Sequence, residues 1–107
     1  MQPKNSVKYS PAAVDDMDEI FSYISKDDIS AAEKLLEKLD LQISRLATFP
    51  EMGSVISEDA YSLVQRGYRF IVVNPYLVFY RVIQDTVIVH RILHGRRDYL
   101  RELFGSF

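Results

Sequence analysis

Apolar residues recur every three or four positions through the first half of the chain and alternate through much of the second. Val14, Met17, Phe21 and Ile24 form one stripe; Ala32, Leu35, Leu36, Leu39, Ile43 and Leu46 form a longer one. Each spacing predicts an amphipathic helix with one buried face. Ser10 before Pro11 predicts the first helix start, because the hydroxyl can accept an orphan N–H and proline's fixed φ suits the first turn. Asp15, Asp16, Asp18 and Glu19 follow near that start, where carboxylates suit the helix dipole. Lys26-Asp27-Asp28-Ile29 interrupts the stripe. Ser30-Ala31-Ala32-Glu33 then reads as a capping box, and Phe49-Pro50-Glu51-Met52-Gly53 ends the second helix. Two helices joined by so few residues make an αα-hairpin.

After a polar loop near Ser57-Glu58-Asp59 the period falls to two. Arg69–Val73, Leu77–Ile83 and Val87–Leu93 are rich in β-branched and aromatic residues, and turns at Asn74-Pro75 and Gln84-Asp85-Thr86 separate them. They predict an antiparallel meander. Val7–Ser10 predicts a short strand ahead of the first helix, and Arg96–Phe104 a short C-terminal helix that Gly105 stops. The expected fold is α+β. One domain over residues 1–107 carries a four-stranded sheet with the helical hairpin on one face. The strands are apolar on both phases, so the face away from the helices is expected to be partly apolar and open to a partner.

Composition narrows the chemistry. The chain has 107 residues, 48% of them hydrophobic and 26% charged, and no cysteine. That mix suits one ordinary globular domain. Lack of cysteine excludes disulfides, Cys-ligated zinc and a cysteine nucleophile, and two histidines give little support to a metal site; no metal or cofactor is expected. No apolar run reaches membrane-helix length, and the first residues lack the apolar segment of a signal peptide, so a soluble cytoplasmic protein is expected. The net charge of −2 hides an asymmetry. Residues 1–60 carry six Lys/Arg against twelve Asp/Glu, whereas residues 61–107 carry seven arginines against three acids. Arginine's planar fork suits phosphate and carboxylate contacts, so the C-terminal part is a candidate docking surface for an anionic partner.

The element order, with Leu77-Val78-Phe79-Tyr80-Arg81-Val82 and Ile92-Leu93-His94-Gly95-Arg96-Arg97-Asp98-Tyr99, resembles the RelE/ParE superfamily of type II toxin–antitoxin modules, often labelled plasmid-stabilisation proteins. Tyr9-Ser10-Pro11-Ala12-Ala13, the Pro50–Gly53 break and Arg69 at a strand start are also family-like, and the resemblance runs from Val7 to Phe104. It implies a growth-inhibiting toxin neutralised by a cognate antitoxin whose disordered arm folds over it, with a toxin dimer or a higher-order toxin–antitoxin complex as a further assembly. Two activities occur in the superfamily: RelE-like members cleave mRNA on the ribosome, and ParE-like members inhibit DNA gyrase without demonstrated bond-breaking chemistry.

A metal-free ribonuclease needs a base for the 2′-hydroxyl, positive charge for the phosphorane and a donor for the leaving oxygen. Arg69, Arg81, His94 and Arg96 are the nuclease candidates, with Arg97 and Tyr99 nearby in sequence. The match to RelE-like nucleases is incomplete, because Tyr76 is followed by Leu77 where those proteins usually carry arginine. Ile92-Leu93-His94-x-Arg96-x-Asp98 instead looks like the ParE-like strand end. The favoured expectation is therefore a non-enzymatic gyrase inhibitor, in which Arg69, Arg81, Arg91, His94, Arg96, Arg97 and Tyr99 contact target or antitoxin. A ribosome-dependent endoribonuclease is the alternative, and a toxin fold retained only as a binding module is a third reading. At single positions, His94 is expected to bond locally with Asp98, Arg91 to be structural or antitoxin-facing, and His90 to pack half-buried.

Overall fold

The computed structural model describes residues 5–55 and 67–95. Strand β1 (Ser6–Tyr9) leads into helix α1 (Pro11–Ser25) and helix α2 (Ile29–Ser44), which ends in a 3₁₀ turn at Arg45–Ala47. Strands β2 (Ser54–Val55), β3 (Arg69–Val73), β4 (Tyr76–Ile83) and β5 (Thr86–His94) follow. The sheet order is β1-β5-β4-β3-β2, antiparallel throughout except for the parallel pair β1–β5. The expected four-stranded sheet is thus present, and the two-residue β2 adds a fifth strand to its edge. The expected C-terminal helix at Arg96–Phe104 lies outside the described residues.

The helices pack on one sheet face. Ala13 and Ile20 from α1, Leu39 and Ile43 from α2, and Leu46 meet Ile71, Val73, Val78, Tyr80, Val87, Val89 and Ile92 in one buried cluster. The α2 stripe is as the sequence predicts, with Leu35 and Leu36 packed at its margin. The α1 stripe is displaced by one residue. Val14 is 45% exposed, while Ala13 and Asp16 point inward. The second cap also moves: Asp28, not Ser30, is the N-cap, its carboxylate accepting the Ala31 N–H at 3.0 Å. Asp28 wins because the helix already begins at Ile29, which leaves Ser30 inside its first turn.

The inward Asp16 follows from how α1 meets the sheet. Strand β1 pairs with β5 only as far as Val89. There Ser10 donates its N–H to the Val89 carbonyl (2.9 Å) and its hydroxyl to the His90 carbonyl (2.7 Å), while its oxygen accepts the Ala13 N–H. Ser10 therefore caps α1, as expected, and also ties the helix start to β5. Two turns into α1, Asp16 takes over this edge by accepting the Ile92 N–H at 2.9 Å. A buried backbone donor without β1 to pair it would otherwise be orphaned.

On the opposite side of the meander, Tyr80 anchors the loop that follows α2. Its hydroxyl donates to the Pro50 carbonyl (2.7 Å) and accepts the Gly53 N–H (3.0 Å). A Cβ at Gly53 would come within 2.6 Å of that hydroxyl and 2.7 Å of the Phe70 carbonyl, so the loop approaches the sheet more closely than a side chain allows.

Candidate functional site

The meander places the candidate residues at different points of the sheet. Arg69 opens β3 opposite Tyr80, on the helix-facing side, and donates to the Gly53 carbonyl (2.8 Å) and the Glu51 carbonyl (3.3 Å). Its guanidinium braces the same loop that Tyr80 anchors. Burial pushes the Tyr80 hydroxyl above its ordinary pKa, opposed by the Gly53 N–H and the Arg69 charge and reinforced by Glu51. The phenol stays neutral near pH 7 and acts there as a donor.

Arg91 lies beyond a β-bulge. Phe79 faces Arg91 but Tyr80 faces Val89, so His90 is the extra residue of β5. Bulges re-aim side chains, and past this one Arg91 makes a bidentate pair with Asp16, Nε to Oδ2 and a terminal nitrogen to Oδ1, both at 2.8 Å. With the Ile92 N–H, the carboxylate accepts three hydrogen bonds. The Arg91 charge therefore serves the α1–β5 junction.

His94 ends β5 opposite Tyr76, and the two rings meet edge-on with centroids 5.6 Å apart. They sit in a groove of about 500 Å³ between α1 and the end of the sheet, which Glu19, Ile20 and Tyr23 line from the helix. The Tyr76 hydroxyl is raised above its ordinary pKa by burial first and by Tyr23 second. Asp98, the expected partner of His94, lies outside the described residues, as do Arg96, Arg97 and Tyr99.

Arg81 is on the other face. It pairs with Ile88 on β5, and its guanidinium lies 5.0 Å from the Tyr68 ring centroid. The His90 ring sits 5.0 Å from the same centroid, tilted at 56°. Burial first and the Arg81 charge second lower the His90 pKa, so its imidazole is neutral at pH 7. This face is less open than the alternating pattern predicts. Phe79 is fully buried beside Phe70 and Tyr68 is buried, leaving Val72, 61% exposed, as its exposed apolar residue on β3. Asp16, Tyr68 and His90 thus take site-forming positions that the sequence reading did not assign. The α1 stripe read from the sequence runs through Val14 and Met17, so Asp16 carried no inward signal.

A phosphate-cleaving centre needs its cations and its proton carrier around one phosphate, with donor–acceptor distances near 3 Å. Arg69 and His94 stand opposite Tyr80 and Tyr76, four β4 positions apart, which is about 13 Å along a strand. Arg81 is on the opposite face from Arg69. The described residues of the expected nuclease set therefore do not converge. Among the described residues no three His, Cys, Asp or Glu side chains form a group that could hold a metal ion, and no helix is long and apolar enough to cross a membrane.

Comparison with known proteins places this geometry in context. Residues 7–99 match the family described as the ParE toxin of the type II toxin–antitoxin system, parDE. The chain is 28% identical over 89 residues to toxin ParE3 of Caulobacter vibrioides, covering 82% of this chain and 84% of that protein. Its fold is similar to a chain of the chromosomal ParDE toxin–antitoxin system from P. aeruginosa, with a TM-score of 0.67, 22% identity, and 84% and 95% of the two chains covered. It is also similar to a chain of the RelBE2 toxin–antitoxin complex from Mycobacterium tuberculosis, with a TM-score of 0.56, 17% identity, and 88% and 94% covered.

Proposed function

The chain belongs to the ParE toxin family of type II toxin–antitoxin systems, and from that premise we propose that it is a cytoplasmic growth inhibitor that acts on DNA gyrase by binding and is held in check by a cognate antitoxin. The observation that carries the binding mode is the dispersal of Arg69, Arg81 and His94. Arg69 is committed to two loop carbonyls, and His94 lies about 13 Å along the sheet from it. An endonuclease would leave its phosphate-binding arginine and its titratable group facing one point, whereas an inhibitor needs only a shaped surface. The net charge of −2 also supports a protein target over a grip on rRNA and mRNA together.

The test is a supercoiling assay with purified, antitoxin-free protein. Inhibition of gyrase is the expected result, relieved by the product of the adjoining antitoxin gene. Full supercoiling at micromolar excess, together with codon-linked cuts in translated mRNA by primer extension, would replace this reading with the ribosome-dependent one. Normal growth after induction would leave a toxin fold that serves only as a binding module.

A further inference from the structure

Arg81 differs from every other described arginine. Arg91 is paired with Asp16, Arg69 holds two backbone carbonyls and Arg45 donates to the Gln42 side chain. The Arg81 Nε is buried with no hydrogen-bond partner among the described residues, and the same is true of the His90 Nε2. Both groups flank the buried Tyr68 ring, one guanidinium and one imidazole each 5.0 Å from its centroid. Arg81 itself is only partly buried, so part of its side chain is accessible among the described residues. A guanidinium packed on an aromatic ring has its fork already oriented and loses little freedom on binding a planar anion. An unmatched buried nitrogen in a native structure calls for an explanation, and a site completed by a partner group is one.

We propose that Arg81, oriented by Tyr68 and backed by His90, is a receptor for a single carboxylate presented by an acidic side chain of a partner protein. Charge chooses between the oxyanions. Among the described residues the site offers one positive charge, the Arg81 guanidinium, with the His90 ring on the same Tyr68 platform. That matches a monoanionic carboxylate held by the guanidinium fork. A phosphate dianion draws more than one cation. The proposal concerns the sheet face away from α1 and α2 and does not depend on gyrase being the target.

The experiment is an NMR titration of the full chain at pH 7 with sodium acetate, and separately with inorganic phosphate, at constant ionic strength. The Arg81 Nε–H and His90 ring resonances should shift saturably with acetate, while those of Arg45, an exposed control, should not follow the same curve. Arg81→Gln should weaken acetate binding about tenfold or more, the equivalent of one lost charge-assisted hydrogen bond. Arg81→Lys should fall between, since it keeps the charge and loses the fork. No saturable shift at Arg81 in the unmodified protein would overturn the proposal without recourse to any variant. Phosphate binding tighter than acetate would overturn it in favour of a phosphate ligand. A shift that tracks Arg45 would reduce it to non-specific ion binding.

Discussion

Replacing Asp16 with alanine tests the junction between α1 and β5 directly. The change removes the acceptor of three hydrogen bonds, two from Arg91 at 2.8 Å and one from the Ile92 N–H at 2.9 Å. Orphaning a buried backbone N–H costs about 1–3 kcal/mol. Removing one partner of a buried ion pair costs about 3–5 kcal/mol. The Arg91 side chain keeps 22% exposure and can turn partly to water, so the lower end applies. The expected total is about 3–4 kcal/mol, because the two effects share one carboxylate and do not add in full. For a domain of this size that lowers Tm by about 15–25 °C. Asp16→Asn still offers an oxygen to Ile92 and should lose about half as much. Equilibrium urea unfolding of the single variants, of Arg91→Met and of the double variant completes a cycle, with a coupling energy of about 1.5 kcal/mol or more expected. A loss under about 1 kcal/mol for Asp16→Ala, or strict additivity in the cycle, would refute the view that this carboxylate holds helix to sheet.

Tyr80→Phe should destabilise by about 1–3 kcal/mol in thermal unfolding, since it leaves the buried Gly53 N–H and the Pro50 carbonyl unmatched. Ser10→Ala should cost about 1–2 kcal/mol in the same measurement, more than a helix cap alone, because the hydroxyl also serves the His90 carbonyl. The folded state lowers the His90 pKa below its unfolded value near 6.5, so the neutral ring is the stabilised form. Stability from this group is complete above that unfolded value and declines as pH falls below it towards the folded pKa. In denaturant titrations across this range, His90→Gln should flatten the slope, and an unchanged slope would remove His90 from the account.

Much of the fold is legible because it depends on local pattern. The α2 stripe, the three meander strands and the Ser10 cap all follow from spacing or from residues three positions apart. The departures are long-range in origin. Periodicity assigns Val14 to the buried face of α1. The helix instead turns Asp16 inward, because β5 has an unpaired donor at Ile92 that β1 is too short to reach. Strand β2 has two residues and no alternation to read. The bulge at His90 is invisible in an apolar run, yet it sets where Arg91 points and which face His90 shares with Tyr68 and Arg81. The candidate arginines were readable by type. Their separation was not, because whether two strand residues share a point depends on register, and register is fixed by the folded sheet.

The parallel pairing of β1 with β5 carries an expectation about the order of assembly. Ser10 and His90, whose contact closes this seam, are 80 residues apart in the chain. Hairpin contacts between neighbouring segments form first, because their loops are short and lose little entropy on closing. The amino-terminal strand has no edge to join until the last strand exists, and so it locks into place late. The seam that ties α1 to the sheet is therefore a long-range one, closed only where β1 lies along β5.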